Sequence, residues 1–155
     1  HSKRRAERVP ANMERTGLAA DLVIADVLTW EATEQYDAVL LDAPCSATGI
    51  FARHPDVLHR VRVKDINMLA QTQAAMLARV ADWLTPDGTL IYATCSLEPQ
   101  EGEAIAAQVG DMGLKLVPMD AQHLPPGFVP DPKGWLRILP KDARDGFFIM
   151  QLRRS

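Results

Sequence analysis

The sequence predicts an α/β fold built on a doubly wound sheet, and three observations carry that expectation. Three short runs, Leu22–Ala25, Ala38–Leu41 and Thr89–Ala93, are continuously apolar. Such runs suit parallel strands covered on both faces rather than half-exposed ones, which alternate. A long segment of helical period, Ile66 to Leu84, lies between the second and third runs. The chain has 155 residues, enough for one domain with a real core.

Taken in order, the elements justify themselves locally. Ser2 to Arg15 predicts a basic helix, with Ser2 as N-cap, Val9 and Met13 on one face and Gly17 as the stop. Pro10 inside it predicts a kink or an early end. The three strands follow, ending at Asp26, at Asp42 and at Thr94-Cys95-Ser96. In the central helix Ile66, Leu69, Gln73, Met76, Leu77, Val80 and Leu84 keep the 3.6-residue period, with Asp65 as N-cap. Pro86-Asp87-Gly88 predicts a turn before the third strand. A further helix is expected from Pro99 to about Val109, since proline suits a first helical turn. Two last strands are expected at Leu114–Val117 and Gly146–Leu152, joined by a proline-rich loop over 118–144.

Composition excludes several classes. With 24% charged and 47% hydrophobic residues and no run of 18 apolar positions, neither a membrane span nor a signal peptide is expected. A net charge of −3 argues against nucleic-acid binding through bulk positive charge alone. Cys45 and Cys95 are the only cysteines, so a reduced, cytoplasmic protein is expected rather than a disulfide framework. His1, His54, His59 and His123 lack the companions of a zinc motif, and no metal site is expected.

Special chemistry therefore falls to the thiols and the acids near them. In a doubly wound sheet, ligands bind beyond the carboxyl ends of the strands. Asp26, Asp42, Cys45 and Cys95 all fall at such ends, and adjacent parallel strands lie about 4.8 Å apart. The two thiols are expected within about 10 Å of each other. Beyond Cys45, the segment 53–64 carries Arg53, Arg60, Arg62 and Lys64 against Asp56 alone, with His54 and His59 interleaved. That balance predicts phosphate contacts, with a solvated charge run as the alternative. Phe51 is the aromatic placed to stack a base, while Tyr92 and Trp83 occupy core-like positions.

Two segments are specific: Leu41-Asp42-Ala43-Pro44-Cys45-Ser46-Ala47-Thr48-Gly49, followed by Arg53-His54-Pro55-Asp56, and Tyr92-Ala93-Thr94-Cys95-Ser96, followed by Glu98, Glu101 and Glu103. With Asp145-Gly146-Phe147-Phe148 near the end, they resemble the RNA cytosine-5 methyltransferases, most closely the bacterial Sun/Fmu type acting on 16S ribosomal RNA. The resemblance runs from the first helix to the last strand. It implies a Rossmann-like class I S-adenosylmethionine-dependent methyltransferase sheet. A glycine-rich cofactor loop and the acid after the second strand of that fold have no counterpart here. By the resemblance, residues 1–155 are the carboxyl-terminal part of one catalytic domain, with the first strands missing.

By the same resemblance, Cys95 is the nucleophile that adds to carbon 6 of cytosine, making carbon 5 nucleophilic. Cys45 assists release, and Asp42 contacts the cytosine ring near N3. Asp26, Asp42 and Pro44 face S-adenosylmethionine, Asp26 at its adenine. The helix beginning near Pro99 offers its positive end to the Cys95 thiolate. Arg53, His54, Arg60, Arg62 and Lys64 are expected at the RNA. Two other readings stay open: a DNA cytosine-5 methyltransferase with Cys45 as nucleophile, and a non-catalytic RNA-binding fragment.

Overall fold

The computed structural model describes residues 6–141 and 144–155. The chain divides into two units, 1–32 and 33–155. In the first, helix α1 (Arg8–Thr16) ends at Gly17 in the left-handed conformation (φ 69°), which closes the last turn at little steric cost. Pro10 stands third in α1, where no intrahelical bond needs its missing N–H, so the helix passes through it. The proposed Ser2 cap lies outside the described residues. Leu22–Ala25 forms no strand, and Val23 is 59% exposed. Propensity alone does not make a strand: no other strand among the described residues pairs with this run.

The second unit holds the sheet. Its elements are β1 (Tyr36–Asp42), α2 (Val57–Arg60), α3 (Val63–Ala81), β2 (Leu84–Thr94), α4 (Glu103–Ala106), β3 (Leu114–Val117), β4 (Leu136–Ile138) and β5 (Phe147–Arg154). Strand order is β1-β2-β5-β3, with β4 pairing β5 beyond the end of β3. β1 and β2 are parallel, joined through α3, whereas β5 enters antiparallel to β2, β3 and β4. The sheet is therefore mixed rather than uniformly parallel. β1 is also less covered than its apolar run suggested, since Leu40 is 70% exposed.

The central helix starts at Val63, three residues before the expected position, because Arg62 holds the extended N-cap conformation and its carbonyl accepts from Asp65 and Ile66. Asp65 becomes a first-turn acid, favourable there against the helix dipole. Ile66, Leu77 and Val80 of α3 are buried with Leu84, Leu90 and Tyr92 of β2 and Phe148, Met150 and Leu152 of β5. Pro86-Asp87-Gly88 does not separate helix from strand but lies within β2, where the register against β1 shifts between Tyr36 and Ala38. The helix expected at 99–109 is broken into a 3-10 turn (Pro99–Glu101), α4 and a second 3-10 turn (Val109–Met112). The break falls at Gly102, which packs so closely on the Phe148 ring and Arg137 that a Cβ would lie 2.8 Å from the ring.

Candidate active site

Pairing between β1 and β2 decides where the thiols fall. Asp42 stands opposite Ala93, and the ladder's last bond runs from Ala43 N to the Ala93 carbonyl at 3.0 Å. Two or three residues past that point both strands open into loops, and Cys45 and Cys95 face each other with Sγ···Sγ 3.5 Å. The expected proximity is borne out well inside the 10 Å limit set by strand spacing. The loops are stitched together beyond the thiols. Gly49 N donates to the Cys95 carbonyl (2.9 Å), Leu97 N to Thr48 Oγ1 (3.0 Å), and Gly146 N to the Gly49 carbonyl (2.8 Å). Ala47 takes a positive φ of 57°, a conformation that strains any residue bearing a Cβ and that turns the loop back towards β2.

The two thiols are electrostatically unequal. The S–H of Cys45, donated to Cys95, is the main cause holding the Cys95 pKa down, from an ordinary 9.0 to about 7. Burial and the charges of Asp42 and Asp145 oppose that shift, and the backbone amide of Cys95 supports it. For Cys45 the same hydrogen bond, then burial, then the Cys95 charge push the pKa well above the thiol range. The pair thus holds one thiolate and one thiol near neutrality. Alkylation of Cys95 by iodoacetamide is accordingly expected to follow a pKa of about 7. Its rate should rise from pH 6 to pH 8 and then level off, because only the thiolate reacts. A profile centred near 9 would contradict the assignment.

Directly behind the thiols lies a polar cluster with little access to solvent. Glu101 is fully buried, and its carboxylate accepts from Ser46 N (3.0 Å), Ser46 Oγ (2.5 Å), Ser96 Oγ (2.5 Å) and Gln73 Nε2 (2.9 Å). Gln73 Nε2 also donates to the Pro44 carbonyl (2.8 Å), and Tyr92 Oη to the Glu101 carbonyl (2.9 Å). On the other side, Arg137 forms a fork with Glu103 (3.1 and 2.6 Å) while donating to the Ser96 carbonyl at 2.6 Å. Its guanidinium lies over the Phe148 ring, 4.9 Å from the centroid. Sequence alone does not single out Gln73, Glu101 or Arg137. The only available signal for Glu101 is a glutamate following the Thr-Cys-Ser segment, one of three.

The remaining expected site residues divide. Asp42 is exposed at the end of β1, beside Cys95, with its carboxylate unbonded to the described residues. Pro44 is exposed in the same loop, its carbonyl already taken by Gln73. Asp26 belongs to the 1–32 unit and closes a turn rather than a strand. Its Oδ1 accepts from Leu28 N (3.0 Å) and its carbonyl from Trp30 N (2.7 Å). Of the expected RNA contacts, Arg53 is engaged by Asp145 in a two-point ion pair, and Arg60 pairs with Asp56 at 2.9 Å. His54, Arg62 and Lys64 are exposed. Phe51 is half-buried, and Tyr92 is fully buried in the core. Among the described residues no helix is long and apolar enough to cross a membrane, and no three metal-ligating side chains cluster.

Comparison with solved structures gives the class. NSun6 from Pyrococcus horikoshii, solved with SFG, superposes with a TM-score of 0.84 at 29% identity, over 99% of this chain and 39% of that one. A methyltransferase homologue from Pyrococcus horikoshii superposes with a TM-score of 0.75 at 26% identity, over 99% of this chain and 51% of that one. A mixed α/β sheet of this topology, with its reactive rim past two parallel strands, is the class I S-adenosylmethionine-dependent methyltransferase fold. Residues 1–153 match the family described as 16S rRNA methyltransferase RsmB/F, and the chain belongs to that family. It is 36% identical, over 98% of its length, to the ribosomal RNA small subunit methyltransferase B of Shewanella oneidensis. It spans about a third of that relative's length, 36%.

Proposed function

We propose that the protein carrying this chain methylates carbon 5 of a cytosine in ribosomal RNA through a covalent bond between Cys95 and the base.

 The carrying observation is the pair of thiols 3.5 Å apart past the ends of two parallel strands, one held near pKa 7 and its neighbour held protonated. Family membership supports an RNA substrate, and 16S ribosomal RNA in the cytoplasm is the setting we assign.

Each residue has a chemical task in this reading. Carbon 5 of cytosine is too electron-poor to attack a methyl sulfonium unaided. Addition of the Cys95 thiolate to carbon 6 turns carbons 4 to 6 into an enamine-like system with a nucleophilic carbon 5. As the adduct forms, N3 gains basicity and takes a proton from water, and the carboxylate of Asp42, exposed at the strand end, accepts a hydrogen bond from that N3–H. Cys45 keeps its proton and donates to Cys95 Sγ. That bond stabilises the thiolate before attack, and again as leaving group, when water takes the carbon 5 proton and the C–H electron pair re-forms the double bond between carbons 5 and 6 as the bond from carbon 6 to Cys95 Sγ breaks.

One observation supports S-adenosylmethionine at this rim: the Asp42 carboxylate is exposed at a strand end with no bond to the described residues, so it is open to a ligand donor. Asp42 and the exposed ring of Pro44 would border the cofactor. When bound, S-adenosylmethionine supplies the methyl group that carbon 5 takes up. Arg53, His54, Arg60, Arg62 and Lys64 supply positive charge for the RNA backbone, with Arg53 and Arg60 released from or shared with their carboxylates. The raised pKa of Cys45 weighs against the DNA-type alternative, which needs that sulfur as the attacking thiolate.

The test is the position of the methyl group. Full-length protein, ribosomal RNA and labelled S-adenosylmethionine are expected to yield 5-methylcytidine in nucleoside digests analysed by mass spectrometry. Label on another atom or another base, or none above a protein-free control, overturns the proposal.

A further inference from the structure

We propose that Glu101 is a positioning residue of this site: by gripping Ser46 and Ser96 together, its buried carboxylate holds Cys45 and Cys95 at the separation at which one donates to the other. The proposal rests on the two-thiol reading above and adds to it a residue outside the reacting set.

The geometry leaves few other uses for this carboxylate. A carboxylate withdrawn from water is unfavourable unless its oxygens are satisfied by hydrogen bonds. Here Oε1 accepts from Ser46 N (3.0 Å) and Gln73 Nε2 (2.9 Å), and Oε2 from Ser46 Oγ and Ser96 Oγ (both 2.5 Å). All four donors are neutral, so the charge is held by hydrogen bonds alone. Ser46 and Ser96 each directly follow a site cysteine, and neighbouring Cα atoms are about 3.8 Å apart. A tie at the serines therefore leaves little slack at the thiols. The serine hydroxyls also meet each other at 3.1 Å, and Ser96 Oγ accepts from Glu98 N at 3.0 Å, so the grip is continuous across both loops.

The turn that carries Glu101 does not depend on this carboxylate. Its backbone is anchored separately, through the bond from Tyr92 Oη to the Glu101 carbonyl (2.9 Å). The carboxylate is directed at the serines and at Gln73, which in turn holds the Pro44 carbonyl at 2.8 Å. Every contact of the side chain thus ends on one of the two cysteine loops or on a residue that fastens one.

The charged surroundings make the thiol separation matter. The titratable groups facing Cys95 are Cys45 from the loop after β1, Asp42 at the end of β1 and Asp145 before β5. Both aspartates disfavour a thiolate, and the Cys45 S–H is the main group favouring it. Loosening the loops weakens that donor while leaving the opposing charges in place. The Cys95 pKa then moves up from about 7 towards 9.0.

The experiment is the pH profile of Cys95 alkylation in the full-length protein, with the Cys95 peptide followed by mass spectrometry. At pH 7, Glu101→Ala is expected to slow alkylation by up to roughly 50-fold, the ratio of thiolate fractions for the two pKa values. Glu101→Gln keeps the reach and can still bridge both serines, so it should restore the rate to within a few-fold of the original. In RNA methylation, Glu101→Ala should lower kcat with little change in KM for RNA. A Glu101→Ala protein that is folded by circular dichroism and keeps the original Cys95 profile overturns the proposal. If Glu101→Ala does not fold, Ser46→Ala/Ser96→Ala carries the same test, and an unchanged profile there overturns it equally. Methylation that survives Cys95→Ala would instead sink the two-thiol reading while leaving the thiol profile, and the positioning by Glu101, as measured.

Discussion

Cys95→Ala is expected to abolish methyl transfer and the covalent enzyme–RNA species together, whereas Cys45→Ala is expected to accumulate that species. The asymmetry follows from which sulfur carries the charge. Cys95, with a pKa of about 7, is the thiolate, and without it nothing adds to carbon 6. The fall in kcat should be at least about 10³-fold, as for loss of a nucleophile elsewhere. Cys45 has its pKa raised and remains a donor, so its removal spares the attacking atom. It takes away the hydrogen bond that favours Cys95 as an anion. Two effects follow with defined signs. The pKa of Cys95 rises, so adduct formation shifts to higher pH, and the thiolate becomes a poorer leaving group, so adduct that forms persists. A denaturing gel of full-length protein with target RNA should show a slow-migrating, nuclease-sensitive band for Cys45→Ala and none for Cys95→Ala. The reverse pattern would invert the two roles. Wild-type turnover in both variants would reduce the cysteines to packing residues.

How much of this was legible in the sequence depends on whether a feature is local. The apolar runs at 38–41 and 89–93, the strand expected at 114–117 and the helical period from Ile66 to Val80 mark true elements, because burial on one or both faces is written into composition. Leu22–Ala25 has the same composition and no strand, since a strand exists only with a hydrogen-bonding neighbour. The break at Gly102 was hidden for a similar reason: what interrupts the helix is the Phe148 ring, 46 residues along the chain and reached only by folding. At the site, the two cysteines were legible from motif and strand ends, and the structure brings them together. Glu101 was not, because glutamates at 98, 101 and 103 look alike in sequence. Only the fold buries Glu101 completely and sends Glu103 to Arg137. Charge patterning was likewise incomplete at Arg53, whose partner Asp145 lies 92 positions away.

Gly49→Ala is expected to be the most damaging single-methyl change in the site. Gly49 does not need a left-handed backbone; it needs the absence of a side chain. A Cβ there would stand 2.2 Å from the Gly146 carbonyl oxygen and 2.8 Å from that of Cys95, both of them backbone atoms that no rotamer change can move aside. The loop must therefore part from its neighbours. Doing so breaks the bonds from Gly49 N to the Cys95 carbonyl (2.9 Å) and from Gly146 N to the Gly49 carbonyl (2.8 Å). Overpacking costs about 1–3 kcal/mol and each lost hydrogen bond about 1 kcal/mol, so a loss of about 3 kcal/mol or more is expected. For a chain of this size that lowers Tm by roughly 6–12 °C. Because the bond to Cys95 is one of those broken, the thiol pair should be disturbed as well, with the Cys95 alkylation profile moving to higher pH. Gly110→Ala is the matched control. A Cβ at that position meets nothing within 4 Å, and a surface change of this kind should alter stability by no more than about 0.5 kcal/mol. Equal melting temperatures for the two variants would show that the loops yield freely at Gly49, and that the stitching between the Cys45 and Cys95 loops does not hold the site together.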